Sequence, residues 1–357
     1  MMQETARQAS VAAAYRRHTS RRAAFAALLL FLLVPASFYA LNVGSYALSL
    51  GDLAQALAEP ASRVGLVLWR IRLPRIVASL LVGAMLGAAG AVMQCLLRNP
   101  LASPFTMGIS HGAMFGAALG IALIVGAGGA ESSGRIFVHN PYAVVLLAFS
   151  GSLVGVLAIL ALARARGLGP AAIILAGVAM SSLFTAGTTL IQYFAEDQEL
   201  ASMVYWTFGD LGRPIWRELG LMGAVAIPCL AYFYFKRWDY NAITSGDETA
   251  KSLGVRVERD RLLGMLLASL VTAVAVAFVG IIGFVDLICP HAVRLLVGGD
   301  HRYLLPSSAL LGALLLLVAD TAARSAIAPA ILPVGVLTSF LGAPMFIYLL
   351  VQMQSRA

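Results

Sequence analysis

Ten apolar runs dominate the chain, at about 24–44, 76–97, 108–127, 143–163, 171–194, 216–236, 262–281, 284–298, 303–323 and 334–353. A helix needs roughly 20 residues to cross about 30 Å of hydrocarbon. Backbone N–H and C=O groups in that medium must be satisfied internally, so runs like these fold as helices packed side by side. The run at 284–298 is the short one and carries Pro290, His291 and Arg294. The composition agrees: 60% of the 357 residues are hydrophobic and 12% are charged, against about 25% charged in a soluble domain. That is too little charge for a water-facing surface and excludes a soluble enzyme or a disordered chain. Cys95, Cys229 and Cys289 all lie in apolar runs, where a thiol behaves as a small hydrophobe, so a disulfide scaffold is excluded too. The expected fold is an all-α, polytopic bundle of about ten transmembrane helices.

The net charge of +8 comes from basic residues in short segments between runs. That pattern sets membrane orientation rather than a nucleic-acid groove. Residues 1–22 are polar and carry Arg7, Arg16, Arg17, Arg21 and Arg22, with no cleavable signal after them. They read as a disordered, solvated tail. Placing both termini in the cytoplasm puts most of the 25 Lys and Arg on that side, as the positive-inside rule requires. The outer segments then hold Arg63, Arg70, Arg72, Arg75, Arg135, Arg213, Arg217 and Arg324. The domain plan is a basic cytoplasmic tail (1–22) and a transmembrane domain (23–357) with a cytoplasmic loop at about 236–261.

Small residues four apart let helix backbones approach closely. Gly83, Gly87 and Gly90 in one run, and Gly112, Gly116 and Gly120 in the next, therefore point to a tightly packed bundle. No G-x-x-x-x-G-K-[ST] occurs; the one Lys-Ser pair, Lys251-Ser252, follows Ala250. If ATP drives this protein, another chain binds it. H-E-x-x-H, Cys/His ligand spacing and a Gly-flanked nucleophilic Ser are also missing from the sequence. No catalytic, cofactor-binding or metal-ligating set is expected in this chain.

Four features remain as candidates. Ser181, Thr185, Thr188 and Gln192 fall at i, i+4, i+7 and i+11, on one helical face. A polar stripe inside an apolar span faces protein or water, so it lines a translocation pathway or serves as interhelical glue. The loop Tyr240–Arg261 is charged and partly helical in pattern. Ala250, Leu253 and Val257 form a small apolar face, Glu248 leads Lys251 and Arg256, and Gly254 stands where a helix would end. Such a helix with an apolar edge suits partner docking. Arg72, Arg75 and Arg324 run against the orientation bias, which suits either an acidic external partner or lipid headgroups. Asp286 and Asp320 sit at span edges as proton-carrier candidates, and His111 and His291 as haem-ligand candidates.

The segment RLPRIVASLLVGAMLGAAGAVMQCLLRNPLASPFTMGISHGA (72–113) resembles the signature region of the iron-chelate and cobalamin permease family of ABC importers, the FecCD type. The likeness continues in ILAGVAMSSLF (174–184), GDETAKSLGV (246–255), PHAVRLLVGGDHRYLLPSSALLGALLLLVADTAAR (290–324) and LPVGVLTSFLGAPMFIYLL (332–350). It covers nearly the whole chain after residue 65, in family order and spacing. The resemblance implies a type II ABC importer permease that pairs as a homodimer or with a close relative in the cytoplasmic (inner) membrane. It implies two ATPase subunits, which hold ATP and Mg, and a periplasmic binding protein. By position, Arg72, Arg75 and Arg324 match outer arginines that receive acids of the binding protein. Glu248, Ala250, Leu253 and Gly254 match coupling helices that seat in the ATPase. The helix at 171–194 matches one that lines the pathway.

Two departures from the family pattern stand out. Asp286 replaces an apolar or Gly residue, and Ile331 replaces a Glu before the L-P-V-G turn. The segment 195–216 keeps the aromatic–Gly pattern but has Asp210 and Arg213 where small residues are common; near the pathway mouth, it is expected to tune substrate preference. The implied cargo is a ferric siderophore or haem, with a corrinoid as the alternative. A proton-coupled secondary transporter is the rival from another class.

Overall fold

The computed structural model describes residues 2–44, 50–127, 141–167, 169–327 and 330–354. Helices account for nearly all of them, and the β contacts among the described residues are two isolated bridges. Helix α1 runs from Met2 to Asn42 and α2 from Leu50 to Ala58. The short α3 (Arg63–Leu66) continues through one π-helical segment (Val67–Arg72) into α4 (Leu73–Leu96). A 3₁₀ turn (Pro104–Met107) precedes α5 (Ile109–Ala127), followed by α6 (Pro141–Arg166) and α7 (Pro170–Phe194). Then come α8 (Asp197–Thr207), α9 (Trp216–Phe235), α10 (Arg237–Thr244) and α11 (Asp247–Ser252). Helices α12 (Val257–Val279), α13 (Val285–Val297), α14 (His301–Ser325) and α15 (Val334–Gln354) complete the chain.

Each of the ten apolar runs is helical, but they do not all reach across a bilayer. Among the described residues seven helical stretches are long and apolar enough to cross, and α5 and α15, of 19 and 21 residues, are further apolar helices. Helix α13 has 13 residues, roughly 20 Å at 1.5 Å per residue. Its shortness has a local cause. Helix α12 ends at Gly280 (φ +80°), and Phe284 is a rare non-glycine residue in the left-handed region (φ 69°). The chain therefore runs extended from 280 to 284, and Ile281 bridges Phe208 in parallel.

The basic segment differs from expectation. Rather than a disordered tail, its backbone continues α1 from Met2 onward, in keeping with the helix-favouring Ala and Arg residues along it. Arg135, one of the outer arginines named above, lies outside the described residues.

Helix α4 is the centre of the bundle; almost every residue from Ala78 to Leu96 is buried. Its glycines set the packing. A Cβ on Gly83 would stand 2.3 Å from the Gly312 carbonyl oxygen of α14, and one on Gly90 would stand 1.8 Å from the Asp286 carbonyl oxygen of α13. The α5–α6 pair meets in the same way, with Gly112 against Gly151 at 2.4 Å. Backbone-to-backbone packing of this kind replaces the hydrophobic effect, which gives no net attraction between helices in lipid. The three cysteines are buried and unpaired with one another.

Candidate functional site

Functional side chains gather in three places: the two ends of α4 and one face of α7. Helix α4 spans 24 residues, so its ends stand roughly 36 Å apart.

At the N-terminal end, the π-helical segment turns Arg72 and Arg75 inward. Arg75 donates from Nε to both carboxylate oxygens of Asp320 at 3.0 Å and from Nη2 to Oδ1 at 2.9 Å. Arg324, one turn along α14 from Asp320, reaches Oδ2 with Nε at 3.2 Å. Arg324 also donates to the carbonyls of Val43 (2.8 Å) and Ala40 (3.2 Å), and Arg72 donates to the carbonyl of Leu41. The C-terminal carbonyls of α1, at the negative end of its dipole, thus receive two guanidiniums. Asp210 joins the group 3.4 Å from Arg75.

The structure therefore brings Arg72, Arg75 and Arg324 together around internal partners. Arg72 is 5% exposed and Arg75 9%, so neither presents its charge freely to solvent. Arg63 and Arg70, on the same stretch of chain, are exposed. Arg213 donates to the carbonyls of Trp206, Tyr205 and Phe208 at 3.2, 2.8 and 3.0 Å. Burial lowers its pKa, and the nearby Asp210 opposes that shift. It caps α8, so its evident work is to hold the segment 195–216 in shape. Beside that segment, a cavity of about 590 Å³ is lined by residues including Phe208, Gly209, Ile281, Gly335 and Phe340. Ile331 is exposed nearby in sequence, at the loop before α15.

At the other end of α4, the segment 236–261 folds into α10 and α11. Helix α11 closes with a Schellman motif: Val255 N–H donates to the Ala250 carbonyl (3.0 Å) and Gly254 N–H to the Lys251 carbonyl (2.9 Å). Gly254 takes φ +84° there, the left-handed cap that the sequence placed at this residue. Ala250 is fully buried while Leu253 is 68% exposed, so the expected apolar face divides: Ala250 and Val257 anchor the helix and Leu253 projects. Glu248 is exposed. Lys251 pairs with Glu258 at 3.0 Å rather than with Glu248.

The clamp that holds this element was not singled out from the sequence. Asp247, in the first turn of α11, accepts from Arg261 of α12 at 2.9 and 3.1 Å and from Arg98, just past α4. Arg261 also donates to the Leu96 carbonyl (3.0 Å), and Arg98 to the Ile243 carbonyl (3.2 Å). Arg98 has φ 45°, a backbone position that ordinary residues avoid. Lys236 bridges Asp239 (2.7 Å) and Asp260 (2.9 Å). Asp300 ties Arg22, Asn241 and Arg302 together. The only sequence signal was the clustering of opposite charges after α9.

The third place is the α7 face. Thr106 and Gly108 of the turn before α5 press on α7: a Cβ on Gly177 would stand 2.1 Å from the Thr106 carbonyl oxygen, and Gly108 (φ +82°) lies against Ser181. That contact opens a cavity of about 610 Å³ lined by residues including Phe105, Thr106, His111, Ser181, Ser182 and Thr185. The predicted stripe is split here. Ser181 and Thr185 line the cavity, whereas Thr188 is buried at 4% exposure and neither it nor Gln192 is among the lining residues. Ser181, Thr185 and Thr188 each donate to the carbonyl four residues back, at 2.9, 2.8 and 2.8 Å. Their hydroxyl protons are thereby occupied, and the oxygens remain as acceptors. Sequence periodicity on α7 alone could not find His111, which reaches the same cavity from α5.

Among the described residues no group of three or more His, Cys, Asp or Glu could hold a metal ion. Asp320 is committed to Arg75 and Arg324, and His291 is buried.

The FecCD transport family matches residues 29–352. An ABC transporter permease protein of Methanocaldococcus jannaschii is 63% identical over 96% of this chain and 98% of its own length. The hemin transport system permease of Yersinia pestis is 37% identical over 92% of this chain and 95% of its own. The vitamin B12 import system permease of Salmonella typhi is 39% identical over 82% and 86%. Among solved structures, an inward-facing transporter described as the metal-chelate type superposes with a TM-score of 0.79 at 32% identity, covering 92% of this chain and 98% of that one.

Proposed function

This chain belongs to the FecCD transport family, and from that premise we propose how its residues divide the work of an ABC importer permease. The cargo is a large metal chelate, a ferric siderophore or haem. A corrinoid is the second reading, favoured by the 39% identity to a permease named for vitamin B12. Two copies form the pathway in the cytoplasmic membrane, with both termini on the cytoplasmic side. Two separate ATPase chains, which hold ATP and Mg, dock at Leu253 and Glu248. A binding protein docks at the opposite, arginine-rich end.

The observation that carries this reading is the Asp247 clamp. Leu253 projects from α11, and α11 is bonded through Asp247 to the ends of α4 and α12. A partner that moves α11 therefore moves the central helix of the bundle. Coupling then means that ATP biases one state of the helices and the loaded binding protein biases the other. At the far end, Arg72, Arg75 and Arg324 outnumber Asp210 and Asp320, leaving an excess of positive charge. Acidic groups of a binding protein would be drawn there, with exposed Arg63 and Arg70 meeting them first. Because Arg75 already holds Asp320, full engagement requires an exchange of carboxylates.

The test is purification of the tagged chain from native membranes in mild detergent, followed by mass spectrometry and uptake assays in proteoliposomes. A stoichiometric Walker-motif ATPase and ATP-dependent uptake are expected. Uptake driven by a proton gradient without an ATPase would overturn the reading.

A further inference from the structure

The α5–α7 cavity holds one side chain that hydrogen-bonding glue does not require. His111 enters from the first turn of α5 and stands opposite Ser181, Ser182 and Thr185. Its Nδ1 lies 3.4 Å from Ser110 Oγ, and no hydrogen-bond partner is found for Nε2 among the described residues. A proton on Nδ1, shared with Ser110, leaves the Nε2 lone pair free; the hydrogen bond made by one ring nitrogen decides what the other can do. The rest of the lining is mixed. Phe105, Ile174, Val178 and Ala186 offer apolar surface, and the α7 hydroxyl oxygens offer acceptors. A volume of about 610 Å³ falls within the range of pockets that hold one compact organic ligand.

We propose that His111 is a specificity-determining residue of the transport pathway, selecting a metal macrocycle that presents an open axial position. This rests on the permease reading and narrows its cargo. In the step, the Nε2 lone pair forms a bond to the metal and an axial water leaves; no electron and no proton changes hands. A hexadentate chelate with every coordination position filled gives Nε2 nothing to bind and passes without this contact. A flat macrocycle also suits the apolar surface around Phe105. One neutral ligand per chain makes a weak bond, which permits release onward, whereas a closed multi-residue site would trap the cargo.

The experiment uses the full-length chain in lipid nanodiscs and three probes: ferric protoporphyrin IX, metal-free protoporphyrin IX and ferrioxamine B. The expected result is a Soret shift of imidazole ligation with the ferric macrocycle and none of its tightness with the metal-free ring. His111→Gln, which keeps polarity and size but binds iron poorly, removes the shift and weakens retention about tenfold or more, roughly 1.4 kcal/mol per tenfold. Added imidazole restores the shift in His111→Gly, which separates a ligating role from a folding defect. His291→Ala leaves the shift in place. An unchanged shift in His111→Gln, or equal binding of the metal-free ring, overturns the proposal. If the shift is unchanged in His111→Gln while the chain still co-purifies with its ATPase, the permease reading stands and this inference falls.

Discussion

Arg75 straddles Asp320 with three hydrogen bonds of 2.9–3.0 Å, and Arg324 takes the same carboxylate from the next turn at 3.2 Å. The Asp320 side chain is 1% exposed, so two guanidiniums share one carboxylate in a dry site, and one positive charge is left that Asp320 does not balance. Removing one partner of a buried pair leaves the other charged and uncompensated, at about 3–5 kcal/mol. Asp320→Ala is therefore expected to lower the thermal unfolding midpoint in detergent strongly, with Asp320→Asn intermediate. A midpoint unchanged by Asp320→Ala would show that the network carries little stability.

Asp247 predicts a different phenotype. Its carboxylate is about one-third exposed, so each ion pair adds little stability, but together they fasten α11 to α4 and α12. Asp247→Ala should keep the fold and the ATPase attached while uptake per ATP hydrolysed falls several-fold. Deleting residues 246–255 should remove coupling altogether. Proteoliposomes assayed for both hydrolysis and uptake distinguish these outcomes; a normal ratio in Asp247→Ala would sink the clamp's role.

The docking proposed for the arginine end should separate by exposure. Arg63→Glu with Arg70→Glu reverses exposed charge without touching Asp320, and should weaken binding-protein association most at low salt. Arg72→Gln should weaken it less and disturb the end of α1, whose Leu41 carbonyl loses its donor. Association measured from low to high salt checks both. Unchanged low-salt binding in the double reversal would remove Arg63 and Arg70 from the docking surface.

Much of this was legible in the sequence because apolar length and Gly spacing act locally. The run at 72–97 with Gly83, Gly87 and Gly90 specifies a helix that others can approach, and Gly254 specifies a helix end. Pairings between distant residues were not legible. Nothing in the spacing joins Arg75 to Asp320, 245 positions away, or brings His111 beside Ser181. On α7, Thr188 is buried while Ser181 and Thr185 line a cavity, because helical periodicity gives a face but not what covers it. The internal partners of the outer arginines were not legible, because a sequence shows charge without its partner.

The glycine contacts give a prediction with an internal control. Gly83→Val would drive a side chain into the Gly312 backbone at 2.3 Å, where backbone cannot yield. The expected cost is about 1–3 kcal/mol, toward the upper end, seen as a lowered midpoint or loss of monodisperse protein. A Cβ at Gly220 of α9 meets nothing within 4 Å. Gly220→Ala should be neutral or stabilising by about 0.5–1 kcal/mol, through helix propensity. Equal effects at the two sites would contradict the packing described.

Asp300 makes the stability depend on acid. Burial raises its carboxyl pKa, but hydrogen bonds from Arg302 and Asn241 and the Arg302 charge override this and hold it at about 2, below the ordinary value near 3.9. A carboxyl depressed in the folded state contributes stability that is fully present above the unfolded pKa. That contribution is lost as pH falls through the folded one, so the window is about pH 4 down to about pH 2. Asp300→Asn removes the titrating group and with it the carboxylate that Arg22 and Arg302 pair with. The midpoint difference between the parent chain and Asp300→Asn should stay constant above about pH 5 and shrink steadily below pH 4. A difference that grew on acidification would mean the carboxyl is not held ionised by Arg302 and Asn241.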